Sequence, residues 1–269
     1  MSFFGASKRV FDLSLGEMLW SRRTIFMGLV VGGPVLLAVI VKLVQMFGMS
    51  ALRVNGQSVA GFGIFGVMIW MLFLRFIIPV LGVFYGTALL ADEVDDKTIT
   101  YLFTRPIPRG AVLLGKYMAY LVCTVLVVLP SVMLTYFLIV PPSEIAGTFR
   151  SLLLDLGILG LGLASYGAMF SFVGAWLKRP LVVGLVFLFG WEQFALALPG
   201  YLRRFTVANY LQSLVPHALP SDNALSMVQS LFREQPNAFS AVAALLLITL
   251  GFLWLAMRTV TRREYVLEQ

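Results

Sequence analysis

Six apolar runs set the terms for this chain: residues 25–44, 62–91, 112–140, 151–177, 181–199 and 239–257. Crossing the hydrocarbon of a bilayer takes about 20 mostly apolar residues in a helix, and within lipid a helix satisfies its own backbone N–H and C=O groups. The runs therefore predict an all-α polytopic membrane protein with six transmembrane helices. The second and third runs are longer than a bilayer requires, so they tilt or continue as helices beyond it. Composition agrees: 59% of the residues are hydrophobic, 12% are charged and mean hydropathy is +0.91, too little polar surface to coat a soluble globule of 269 residues.

Charge placement orients the runs. Lys8, Arg9, Arg22 and Arg23 precede the first, and Lys97, Arg105, Arg109 and Lys116 lie between the second and third. Lys178 and Arg179 lie between the fourth and fifth, and Arg258, Arg262 and Arg263 follow the sixth. The bases on the alternate side, Arg53, Arg150, Arg203, Arg204 and Arg233, are scattered. The positive-inside rule then predicts cytoplasmic termini and a cytoplasmic connection between runs two and three. The net charge of +7 is thus a topology signal, and no nucleic-acid partner is expected, since the 22 phenylalanines are spread over the spans. No apolar core followed by a cleavage site opens the chain, so no signal peptide is expected.

Two segments flank this scheme. Residues 5–21 place Phe11, Leu15, Met18 and Leu19 on one helical stripe with Asp12 and Glu17 off it, which predicts a helix lying in the membrane interface or one leading straight into the first span. Residues 200–238 interleave Leu202, Phe205, Tyr210, Leu211 and Leu214 with Arg203, Arg204 and Gln212, and Ser221 is an N-cap candidate for a helix over 222–232. Two short outer helices are expected there, as a gate or as a surface lid.

The stretch from Asp92 to Lys116 is polar between two strongly apolar runs. It carries Asp92, Glu93, Asp95 and Asp96, a short amphipathic run over 98–103, and a rigid Arg105, Pro106, Ile107, Pro108, Arg109 clasp. Asp95 or Asp96 would cap a helix starting near Lys97, and Pro106 would end it, because a proline drives the residue before it out of the α region.

The run Glu93, Asp95, Thr98, Leu102, Thr104, Arg105, Pro106, Ile107 and Arg109, continued by Leu113, Leu114, Gly115 and Lys116, resembles the signature of type-2 ABC exporter permeases. In that signature an acid-rich segment leads into a Leu-Leu-Ser/Thr-Arg-Pro-Val/Ile-Ser-Arg clasp and a Gly-Lys at the next span. Lys97 stands where the family usually has glycine, and Pro108 where serine is common. The resemblance implies that residues 92–111 form a coupling helix docked on a separate ATPase, through Asp95, Asp96, Thr98, Tyr101, Leu102, Thr104, Arg105, Pro106 and Arg109. It also implies two ABC ATPase subunits holding ATP and Mg, a second permease subunit, identical or homologous, and export across a bacterial plasma (inner) membrane.

Charges inside spans are costly and ask for a partner or an aqueous path. Arg75 and Asp155 fall at similar predicted depth, as an outer-leaflet pair, a cavity rim, or side chains snorkelling to the headgroups. Glu192 either lines the translocation path or satisfies backbone groups where the fifth span breaks. Gly28 and Gly32, Gly82 and Gly86, and Gly160, Ala164 and Ala168 are spaced for helix contact, within the chain or across a dimer. Pro34 and Pro130 are candidate kinks.

Absences bound the chemistry. No Gly-x-x-x-x-Gly-Lys-Ser/Thr loop is present, so this chain is not expected to hydrolyse ATP, and one histidine (His217) with one cysteine (Cys123) offers no metal set and no disulfide. No cofactor is expected in the chain itself. Two readings of other classes stay open: a non-transporting membrane scaffold or sensor for an ATPase, and an ATP-independent carrier.

Overall fold

A computed structural model describes residues 3–47, 52–54, 57–59, 61–95, 108–197, 206–215 and 237–262. Helix α1 (Phe3–Leu19) leads through a short turn into α2 (Arg22–Met46), and a small antiparallel pair, β1 (Leu52–Val54) with β2 (Gln57–Val59), follows. This ribbon is a minor departure from an all-helical expectation. The second span, α3, is one continuous column: α-helical over Phe62–Met68, π-helical over Ile69–Ile77, α-helical over Ile78–Leu81, π-helical over Gly82–Gly86 and α-helical over Thr87–Asp95. Next come α4 (Arg109–Ile139) and α5 (Pro142–Trp176). The fifth span, α6, runs over Pro180–Val186, a π-helical Phe187–Glu192 and Gln193–Ala197. A short α7 (Val207–Leu214) and a long α8 (Ala238–Arg262) complete the set.

Five of these helices are long and apolar enough to cross a membrane, and α6 is a shorter apolar helix. Polytopic and all-α is the architecture. The core lies where α3, α4 and α5 meet, built on Phe65, Phe73, Tyr85, Tyr120, Tyr136, Tyr166 and Phe170, each almost fully buried. α2 and α8 pack at its edge, through Met27 and Val31 and through Leu245 and Leu253, and turn most of their apolar surface outward, as lipid-facing helices do.

Small residues decide how closely the core helices approach. In lipid no water is expelled when helices meet, so contact is won by backbone proximity and polar side chains. A Cβ on Gly82 would sit 2.7 Å from Tyr166 Cβ, and one on Gly86 2.9 Å from Phe170 Cβ, so these two glycines let α3 lie on α5. The expected contact face of Gly28 and Gly32 is different: among the described residues, no other element comes within 4 Å of a Cβ placed on either, nor on Gly160. Hydroxyls bridge the helices in the same region. Tyr117 and Tyr120 of α4 donate to the Ala164 and Leu163 carbonyls of α5 at 2.9 and 3.0 Å, and Ser165 of α5 meets Thr249 of α8 at 3.0 Å. Pro34 and Pro130 sit inside α2 and α4 without dividing them.

The two ends of the bundle differ in charge. Lys8, Arg9, Arg109, Lys116, Lys178, Arg179, Arg258 and Arg262 gather at the end that holds α1, the close of α3 and the start of α4. At the opposite end Gly61 adopts a left-handed φ of +53° that a side chain would strain, and the Phe62 N–H at the start of α3 donates to Glu144 of α5 at 3.4 Å. Tyr136 and Thr148 share a 2.7 Å hydrogen bond close by.

Candidate functional site

The polar connection between the second and third spans leaves α3 and returns to α4 at the basic end. α3 carries Asp92, Glu93 and Asp95 in its last turn, where the negative end of the helix dipole disfavours acids. A cation answers them: Lys116, two turns into α4, forms a salt bridge with Glu93, their side chains 13% and 22% exposed. The pair ties the strand of chain leaving α3 to the helix that receives it.

α1 lies across the same place. Its buried residues are Ala6, Ser7, Val10 and Ser14, and a Cβ on Gly115 would stand 2.6 Å from the Ser7 carbonyl oxygen and 2.9 Å from Val10 Cβ. The expected stripe of Phe11, Leu15, Met18 and Leu19 is therefore not the centre of the docked face. Close crossing at Gly115 selects small side chains, while Leu13 and Trp20 stay exposed and Leu15 and Met18 pack at the margin. Phe3 reaches the far side of the crossing, where it lines a cleft with Pro108, Gly110, Trp254, Met257 and Arg258. Thus α1 and the end of α8 converge on the start of α4 at Gly110.

Of the predicted docking residues, Arg109 opens α4, half-buried, behind Pro108. Asp95 is the last helical residue of the second span, so its backbone is not the extended one an N-cap requires. Asp96, Thr98, Tyr101, Leu102, Thr104, Arg105 and Pro106 lie outside the described residues.

A second polar group stands in the other half of the bundle. Glu192 ends the π segment of α6 at 2% exposure, accepting from the Tyr166 hydroxyl of α5 at 2.5 Å and from the Ala208 N–H of α7 at 3.2 Å. Ala208 is in the first turn of α7, whose N-cap Thr206 takes the Asn209 N–H at 3.3 Å. Glu192 and Thr206 together satisfy two of the free N–H groups there, with the carboxylate on the favourable end of the dipole. Leu211 of α7 is buried against Gly162, well inside α5, so the chain after α6 folds back into the bundle. Of the two expected outer helices, the one over 222–232 lies outside the described residues, as does His217.

Arg75, in the long π segment of α3, is exposed and does not pair with Asp155. Its Nε and Nη2 donate to Gln193 Oε1 of α6 at 3.2 and 2.6 Å, and its guanidinium lies 5.5 Å from the Trp70 ring centroid. Asp155 faces the core of α5 at 1% exposure. The pairing expected from depth fails because depth fixes only position along the bundle, and the two side chains leave their helices towards different surroundings. Adjacent positions of α6 instead serve the two charges on different sides: Gln193 holds Arg75, and Glu192 turns inward to Tyr166 and Ala208. Gln193, Tyr166 and Thr206 were not among the expected site residues, and only Gln193, next to Glu192 in an apolar run, carried a signal in the sequence.

A model of the family described as ABC-2 family transporter protein matches residues 24–265 of this chain. No curated protein matches it.

Proposed function

The chain belongs to the ABC-2 family of transporter proteins, a multi-pass membrane component and not itself the catalyst, and from that premise we propose that it is the permease subunit of an ATP-driven exporter. The segment between α3 and α4 docks a separate ABC ATPase, which holds ATP and Mg, and carries its closure into the spans. The observation supporting this most is the Glu93–Lys116 bridge under α1, which joins the two ends of that segment to each other and to the helices that would have to move. A push on a segment anchored this way reaches α3 and α4 together, and through the Gly82 and Gly86 contacts it reaches α5.

In this reading the basic end faces the cytoplasm of a bacterial cell, by the positive-inside rule, and both termini lie on that side. Two ATPases serve two permease subunits, identical or homologous, and α7, latched by Glu192, belongs to the outer gate. Arg75, Asp155 and Glu192 are the charged groups nearest the path.

Co-purification with a candidate ABC ATPase tests the docking, comparing wild type with a variant carrying Tyr101→Ala, Leu102→Ala and Arg105→Ala. Wild type should retain the ATPase and stimulate its turnover in lipid discs, and the variant should lose association by about tenfold or more, as truncating several anchor residues does. Equal retention and equal turnover would sink the assignment.

A further inference from the structure

The outward face of α6 holds an apolar groove of about 670 Å³ lined by Val183, Val186, Phe187, Gly190, Trp191 and Phe194. Its floor is open because nothing lies within 4 Å of a Cβ placed on Gly190. Gln193, one turn beyond Gly190, flanks the groove and holds Arg75 beside it. That guanidinium has five N–H donors, of which Gln193 engages the Nε and one Nη2 N–H, and among the described residues it meets no carboxylate.

A cation in this position needs an anion. Arg75 lies sixteen residues before Ala91, at most about 24 Å along the helix from the basic end because its π segments rise less per residue, which in a hydrocarbon core of about 30 Å sets it in the far leaflet. Its long stem reaches towards the headgroup layer, and Trp70, whose ring centroid lies 5.5 Å from the guanidinium, is an interface-preferring side chain. An apolar trough running along the bilayer normal, with a fixed cation at its outer end, matches one class of molecule in both parts.

We propose that the α6 groove is a binding site for an anionic phospholipid-like amphiphile of the outer leaflet, its acyl chain lying along Val183 to Phe194 and its phosphate on the Arg75 guanidinium. Gln193 is the positioning residue: it presents the guanidinium to the groove. A lipid seated there is placed to be cargo; that step rests on the permease reading above, whereas the binding does not.

The test uses the full chain in lipid discs doped with acyl-brominated phosphatidylglycerol or phosphatidylcholine, reading quenching of Trp191 as the difference from Trp191→Phe. The brominated phosphatidylglycerol should reach half-quenching at about fivefold lower mole fraction, the preference one near-surface arginine confers. Arg75→Gln should erase the preference, Arg75→Lys should keep it, and Gly190→Leu, which fills the floor, should weaken quenching by both lipids. Equal quenching by the two lipids in wild type, or a preference surviving Arg75→Gln, overturns the proposal. So does protection from both lipids with disulfide cross-linking of Gly190→Cys between copies in a Cys123→Ser background, which assigns the groove to a second copy of the chain. No ATPase enters this measurement, so its failure and a failure of ATPase docking are read separately.

Discussion

Replacing Glu192 by alanine should release α7 from the bundle. The carboxylate is 2% exposed and is the acceptor for two buried donors, the Tyr166 hydroxyl and the Ala208 N–H. Each donor left without an acceptor costs about 1–3 kcal/mol. Thr206 still holds the Asn209 N–H, so α7 keeps half its cap, and we expect Glu192→Ala to lose about 3 kcal/mol. Glu192→Gln retains an acceptor oxygen at the same place and should lose about 1 kcal/mol. Tyr166→Phe removes one of the donors, so combining it with Glu192→Ala should cost about 1 kcal/mol less than the sum of the two. Thermal unfolding in a single detergent gives these differences. The structural half is read by labelling Leu211→Cys with a membrane-impermeant maleimide in a Cys123→Ser background, since Leu211 is 1% exposed on the face of α7 packed against α5. It should stay protected in the parent and in Glu192→Gln and react in Glu192→Ala, while Leu245→Cys, buried between α5 and α8, stays protected in all three. If Glu192→Gln loses as much as Glu192→Ala, or Leu211→Cys stays protected throughout, the carboxylate is not what holds α7.

The bridge at the basic end makes a reciprocal prediction: Glu93→Lys or Lys116→Glu alone should lower ATPase turnover stimulated by the permease about fivefold, and the two together should restore most of it. The effect on stability should be small, about 1 kcal/mol or less for a partly exposed pair, and a double variant as weak as the singles would refute the pairing. Gly115→Val should lift α1 from α4, because its Cβ would stand 2.6 Å from the Ser7 carbonyl; Ser7→Cys, protected in the parent, should become reactive, and continued protection would refute it.

The spans were legible because an apolar run of bilayer length admits few alternatives. Their limits were less so: α5 begins at Pro142, nine residues before the apolar run at 151, since the helix continues through Ser143, Glu144 and Arg150, polar residues that a membrane criterion discards but a helix tolerates. The π segments in α3 and α6 carry no compositional mark, because an i→i+5 ladder uses the same residues as an i→i+4 one. Glu93 and Lys116 were visible as members of a motif, yet their contact joins positions on two helices and exists only once both are packed. Arg75 shows the same limit more strongly. Its partner is 118 residues away, and an amide gave a weaker signal than the buried acid at similar depth. Small residues at helix-contact spacing divided: Gly82 and Gly86 touch α5, whereas a Cβ on Gly28 or Gly32, at the same spacing, meets no other element among the described residues.

The bridge between Glu93 and Lys116 also bears on how such a protein can change over time. It closes a loop of chain at its neck, and the free energy of closing a loop grows only logarithmically with its length. Residues gained, lost or exchanged between Asp95 and Pro108, outside the packed helices, therefore cost the membrane bundle little in loop-closure entropy. If that segment docks an ATPase as proposed, selection can rewrite what it presents to the motor while the spans stay as they are, and the two evolve on separate clocks.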